Sequence, residues 1–205
     1  MTEAAPEDHL ALLDSIRQRI DANPEALLAN TESLQEGDFA LLGKLIQTYC
    51  FADLNARRIV DALRHAMIGP EARYASRLQD AQVFPKLKEI VAELPTWNIK
   101  EGLLKAADTV ELHRIHRHNF AHWAARRVKG HNVLIIFTKN AKESERRDGQ
   151  AQSLDELKYG LVPLAPLSDE LKKLEGHGEY LATTAAHIDT NFNAYKEFFD
   201  TNRRS

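Results

Sequence analysis

The chain has 205 residues, is 43% hydrophobic and 28% charged, and carries a formal net charge of −3. That length and balance suit a globular protein of one domain with room for an appendage, and the acidic total argues against salt-driven coating of nucleic acid. The longest apolar run, Val133 to Phe137, is too short to span a bilayer; the acidic stretch Met1 to Asp8 offers no signal-peptide core; and Cys50 alone allows no internal disulfide. The expectation is a cytoplasmic protein with no membrane association, and Cys50, inside the apolar run Leu45 to Phe51, reads as a buried, inert thiol.

Along the chain, Leu10, Leu13, Ile16 and Ile20 recur at helical spacing, with Asn23-Pro24 as a stop. Pro24 is suited to open a short second helix through Leu27 and Leu28. Gly37-Asp38 is a break, with Asp38 a good N-cap. A long helix is predicted from Phe39 to about Ile68, ended by Gly69-Pro70. Residues 70–94 are helical in pattern but contain Pro85, which removes a hydrogen bond and breaks a helix; two pieces, Glu71 to Gln82 and Pro85 to Leu94, are expected. A further helix is predicted from Asn98 to Arg127. After Lys129-Gly130 the apolar, β-branched run Asn132 to Thr138 reads as a strand, Lys139 to Tyr159 as a polar loop, and Leu161 to Leu167 as an extended edge partner. Ser168 is the expected N-cap of a last helix to about Phe199, weakened by Gly176 and Gly178. The predicted fold class is mainly α, a helical bundle with a small β-strand or hairpin element inserted before the last helix. Residues 1–36 form an N-terminal helical extension, and residues 37–205 the main domain, with the β-element at about 131–167.

Charge is unevenly placed. Between Leu112 and Arg147 nine Lys or Arg face two Glu, a local balance of +7. The alternatives are a solvated helix end and loop, or a local site for a polyanion. Within this segment, Arg114-Ile-His-Arg-His-Asn-Phe-Ala-His122 packs two arginines and three histidines into nine residues. Arginine holds phosphate in a fixed fork, and histidine moves protons near neutral pH. Cleavage of RNA by attack of the 2′-hydroxyl needs a base, an acid and a cation, and no metal or other cofactor. His118 and His122, four apart, share a helix face, and the long stem of Arg117 can bring its guanidinium round. One helix does not easily surround a phosphate; two copies about a two-fold axis can.

Arg117-His-Asn-Phe-Ala-His122 resembles the signature of the HEPN superfamily (higher eukaryotes and prokaryotes nucleotide-binding). That signature is an Arg, four to six residues and a His, with a polar residue directly after the Arg; here that follower is His118. The resemblance covers the helical core, roughly Phe39 to Arg127. It implies a homodimer whose signature helices meet, and commonly a metal-independent endoribonuclease leaving 2′,3′-cyclic phosphate ends. Such activity often belongs to a toxin with a neutralising protein partner or to anti-phage defence. Carried over, Arg117 and His122 are the catalytic pair and His118 and Asn119 supporting groups, and Arg114, Arg126 and Arg127 are candidate RNA-binding cations. Arg126 and His131 repeat the spacing, but lack the polar follower and cross Gly130.

Rival readings differ in kind. A zinc site would use His118 and His122, with His113 and His116 nearby. No carboxylate or thiol lies within a turn of the first pair, and Arg114 and Arg117 repel a cation, so no metal is expected. Alternatively, the protein is a non-catalytic dimeric helical module that binds a partner, a nucleotide or RNA, with Trp97 and Trp123 as core aromatics. Arg57-Arg58 and Arg64-His65 read as a solvated face, Arg146 to Gly149 as a solvated turn, and Asp53 and Asn55 as groups that could orient the histidines.

Overall fold

A computed structural model describes residues 6–23, 27–95, 98–140 and 158–202. Pro24, Trp97 and the Arg146 to Gly149 turn lie outside the described residues. Six α-helices are described: α1 (Pro6–Ala22), α2 (Glu36–Ile68), α3 (Asp80–Ala92), α4 (Asn98–His122), α5 (Leu164–Thr190) and α6 (Phe192–Asn202). Four strands, β1 (Thr31–Glu32), β2 (Ala124–Val128), β3 (Val133–Thr138) and β4 (Lys158–Pro163), form one antiparallel sheet in the order β1-β2-β3-β4. The fold is mainly α with a small sheet, as the periodicities indicate. By compactness the chain divides into two units, residues 1–40 with 119–168 and residues 41–118 with 169–205.

The first unit is a sheet covered by α1. Ile16 and Ile20 of α1 and Leu27 pack against Val128 of β2 and Val133 and Ile135 of β3. Each fully buried aliphatic side chain contributes about 1.5–3 kcal/mol. The N-terminal residues thus form one face of a small core with the strands. The sheet opens earlier than the composition suggests. Residues 124–127 were expected to continue α4, yet Trp123 N–H closes the helix on Asn119 O at 2.8 Å. Ala124 to Arg127 then pair with Phe137 to Leu134. Ala-Ala-Arg-Arg is helix-forming by propensity, and the strong β-branched partner strand overrides it. Gly130, at φ 74°, supplies the left-handed residue of the β2–β3 turn.

Asp38 is not an N-cap. It lies in the first turn of α2, and its Oδ2 reaches back to accept the Gln35 N–H at 2.9 Å, one half of a capping box. Its other role is long-range: Arg127 Nη2 donates to Asp38 Oδ1 at 2.9 Å and Nε to Oδ2 at 3.1 Å, with Asp38 only 3% exposed. The arginine holds this carboxyl below its ordinary 3.8, against the opposing effect of burial.

The second unit is helical. α2 ends at Ile68 before Gly69 as expected but starts at Glu36, so Gly37, predicted as a break, lies within its first turn; the helix buries Leu45, Tyr49, Ile59 and Leu63. The Pro85 prediction fails. Instead of two helices, the chain makes short 3₁₀ turns at Pro70–Ala72 and Ala75–Arg77 and then the unbroken α3. Pro85 and Ala81 both face solvent, so the carbonyl deprived of its donor can be hydrated. The preceding stretch is shaped by α2 side chains: Asp61 Oδ1 accepts the Tyr74 and Ala75 N–H groups, and Arg57 Nη1 donates to Ala75 O and Leu78 O.

The last helix also departs from expectation. α5 starts at Leu164, with Pro166 in its first turn, where proline is tolerated. The predicted single helix to about Phe199 is split: α5 ends at Thr190, where Asn191 turns its side chain back onto His187 O at 2.9 Å, and α6 follows from Phe192. Gly178 lies within α5, where a Cβ would meet the Phe51 ring at 3.6 Å, an ordinary van der Waals distance. Cys50, expected to be buried, is exposed on α2: its neighbours Tyr49 and Ala52 occupy the inward positions.

Candidate functional site

α4 carries Arg114, Arg117, His118, Asn119 and His122, and the boundary between units falls between His118 and Asn119. Five residues of α-helix turn the chain through 500°, so Arg117 and His122 leave the axis about 140° apart. Leu112, Ile115, Asn119 and His122 follow a 3-4-3 spacing and share one face. Leu112 is 72% and Ile115 50% exposed, and His122 is exposed as well. His118 is half-buried.

Arg117 points elsewhere, into a polar cluster of the helical unit. Its Nη2 lies 3.1 Å from Asp80 Oδ2, and its guanidinium carbon sits 5.3 Å from the Tyr49 ring centroid. The side chain is 23% exposed, and its Nε is buried without a hydrogen-bond partner. Two other buried atoms there also lack partners, the Tyr49 hydroxyl and Glu111 Oε2. Burial, reinforced by the charges of Asp53, Asp80 and Glu111, pushes the Tyr49 phenol well above its ordinary value, so it stays neutral. Arg114 Nε donates to Glu111 Oε1 at 2.9 Å, one turn back on the same helix. Arg57 is not solvated: its side chain is 18% exposed and bonded to Asp53, with Asp80 at 3.5 Å.

The other histidines of the segment divide by environment. His113 is 3% exposed, with Nδ1 2.7 Å from Thr109 O and Nε2 3.2 Å from Glu170 Oε2. Both ring nitrogens therefore face acceptors. Desolvation, then the charge of His113, holds His116 below its ordinary 6.5, with Glu170 opposing. Asp53 and Asn55 do not reach these rings in the bonds they make. Asp53 takes Arg57, while Asn55 donates to Phe51 O and accepts from Arg58. Among the described residues no group of histidines, cysteines and carboxylates is placed to hold a metal ion.

In the sheet unit, Arg126 Nε donates to Thr31 Oγ1 at 2.8 Å, and Arg127 is committed to Asp38. Both were expected on a helix; they stand on β2. Asn119 Oδ1 is buried without a hydrogen-bond partner.

No family model, curated protein sequence or solved structure matches this chain. The site is therefore read from its own chemistry. Sequence reasoning missed Asp80 and Tyr49, the groups against Arg117, and read Arg57, which shares Asp80 with it, as solvated. Tyr49 stands in an apolar stripe and Asp80 beside a predicted break, and neither position signals a polar cluster. The Glu111–Arg114 pair was visible, as an i, i+3 spacing of opposite charges.

Proposed function

We propose that this protein is a metal-independent endoribonuclease of HEPN type that works as a homodimer, with Arg117 stabilising the phosphate and His122 acting as general acid or base. His118 and Asn119 support the pair, and Arg114 and Arg126 lend positive charge. The observation that carries this reading is the exposed face of α4: His122 stands on it, beyond two large apolar side chains, Leu112 and Ile115, that are open to solvent. Exposed apolar residues of this kind mark docking surfaces. A second copy there would supply what one helix lacks, because Arg117 and His122 diverge on their own axis while a two-fold related chain brings in another set. The biological setting proposed is that of a toxin or defence nuclease, with a neutralising protein as a further partner.

A second reading is favoured by the Arg117 contacts. A guanidinium paired with Asp80 and lying over Tyr49 suits a structural role, in a dimeric module that binds a partner, a nucleotide or RNA without cutting it. Digestion of a single-stranded RNA in EDTA, with analysis of the product ends, separates the two. Ends bearing 2′,3′-cyclic phosphate support the nuclease; bound but intact RNA supports the module.

A further inference from the structure

We propose that the helical unit carries a second site, a pocket for an organic cation with an apolar body, where the C-terminal ends of α2, α3 and α6 meet. A cavity of about 550 Å³ is lined there by Met67 and Ile68 from the last turn of α2, Glu89 and Glu93 from the end of α3, and Phe198 and Phe199 from the last turn of α6. Its size is within the range of small-molecule sites, about 300–1,000 Å³.

The sign of the ligand follows from the helix ends. The last turn of a helix leaves carbonyls without intrahelical donors and acts as about half a negative charge. The ends of α2, α3 and α6 converge on one cavity, two carboxylates are added to them, and the α3 carbonyls are in part already met by Lys100. The same chemistry already works nearby with an internal cation: Lys100 Nζ donates to Ala92 O at 2.7 Å and Leu94 O at 2.8 Å, at the end of α3. One further carbonyl is taken by Asn202, whose Nδ2 donates to Phe198 O at 3.0 Å.

Arg64 also lines the cavity, and its side chain is engaged in two contacts. Its Nε donates to Ala72 O at 3.2 Å, and its guanidinium lies 4.4 Å from the Tyr74 ring centroid. Glu89 is shared with Lys86. Glu93 makes no ion pair among the described residues, which leaves its carboxylate for a ligand.

The apolar part of the ligand follows from the walls. Phe198 and Phe199 pack edge to face with centroids 5.2 Å apart, and Ile68, 55% exposed, stands at the rim. An ammonium can meet the carboxylates and carbonyls, with an aromatic face within reach of a cation–π contact, while a hydrocarbon body covers the isoleucine and methionine. A bare metal ion would leave these walls wet, and an anion meets the wrong field.

The test is calorimetric titration of the full chain with phenethylammonium, beside its neutral analogue 2-phenylethanol and the anion 3-phenylpropanoate. The expected result is saturable one-to-one binding of the ammonium, at least about tenfold tighter than either analogue. Glu93→Gln should weaken the ammonium at least about fivefold and leave the alcohol unchanged, while Phe198→Ala, folded by circular dichroism, should weaken both. Equal binding of ammonium and alcohol, no effect of Glu93→Gln, or no saturation up to about 10 mM would overturn the proposal. Binding that emerges only after removal of residues 203–205 would assign the pocket to the chain's own Arg203-Arg204 tail, and would overturn it too.

Discussion

Arg117 Nη2 lies 3.1 Å from Asp80 Oδ2, and the other oxygen of that carboxylate lies 3.5 Å from Arg57. One carboxylate thus stands between two guanidiniums, and one of these belongs to the proposed catalytic pair. Arg117→Lys keeps the charge and can keep the Asp80 contact, but loses the planar fork that grips a phosphate. The lysine variant is expected to lose at least about tenfold in RNA cleavage while its unfolding free energy changes by less than about 1 kcal/mol. Cleavage rates beside urea unfolding check this; a rate within about twofold of wild type would remove Arg117 from the chemistry.

The apolar face of α4 makes a separate prediction about assembly. Leu112→Glu places a charge on a side chain that is 72% exposed in the isolated chain. The monomer should tolerate it, since surface changes rarely exceed about 0.5 kcal/mol. A dimer formed through that face should not. Sedimentation is expected to show a dimeric wild type and a monomeric, folded and inactive Leu112→Glu. A wild type that is monomeric at working concentrations, or an active monomeric variant, contradicts the two-chain site.

Asp38 and Arg127 tie α2 to β2 inside the sheet unit. Removing one partner of a buried pair strands the other, and Asp38→Ala should cost about 3 kcal/mol, the low end of the usual range because Arg127 keeps a bond to Asn132. The depressed carboxyl makes a pH prediction as well. Its stabilising contribution is fully present above the ordinary 3.8 and is lost as pH falls through the lower folded value. Between about pH 5 and pH 2, urea unfolding should show wild-type stability falling more steeply than that of Asp38→Asn. Parallel curves would deny the linkage.

Gly102 of α4 faces Tyr180 of α5 closely enough that an added Cβ would overlap the phenol. That hydroxyl donates to Ile99 O at 3.3 Å, which holds the ring in place. Gly102→Ala gains helix propensity of about 1 kcal/mol, but the clash should outweigh it, for a net loss of about 1–3 kcal/mol in urea unfolding. In a Tyr180→Leu background the penalty should shrink or reverse sign. An unchanged penalty would place the strain elsewhere.

What the chain discloses depends on the distance over which each feature is decided. α2 is legible because a broad apolar stripe runs up to Gly69-Pro70, and β3 because Val133 to Phe137 is β-branched and apolar. β2 is illegible, since Ala-Ala-Arg-Arg becomes a strand only through its partner. Pro85 misleads because tolerance of its missing hydrogen bond depends on an exposed carbonyl that no local pattern reveals. The His/Arg cluster is visible in nine residues. Its partners Asp80 and Tyr49, brought by α3 and α2, are not, and neither is a cavity built from three helix ends far apart in the chain.

The central claim is tested most directly by the cleavage rate of single-stranded RNA in EDTA for wild type, Arg117→Ala and His122→Ala, each shown to be folded and in the same oligomeric state. The account predicts cutting by wild type and a loss of at least about a hundredfold in both variants. A His122→Ala protein that cuts as fast as wild type would contradict it.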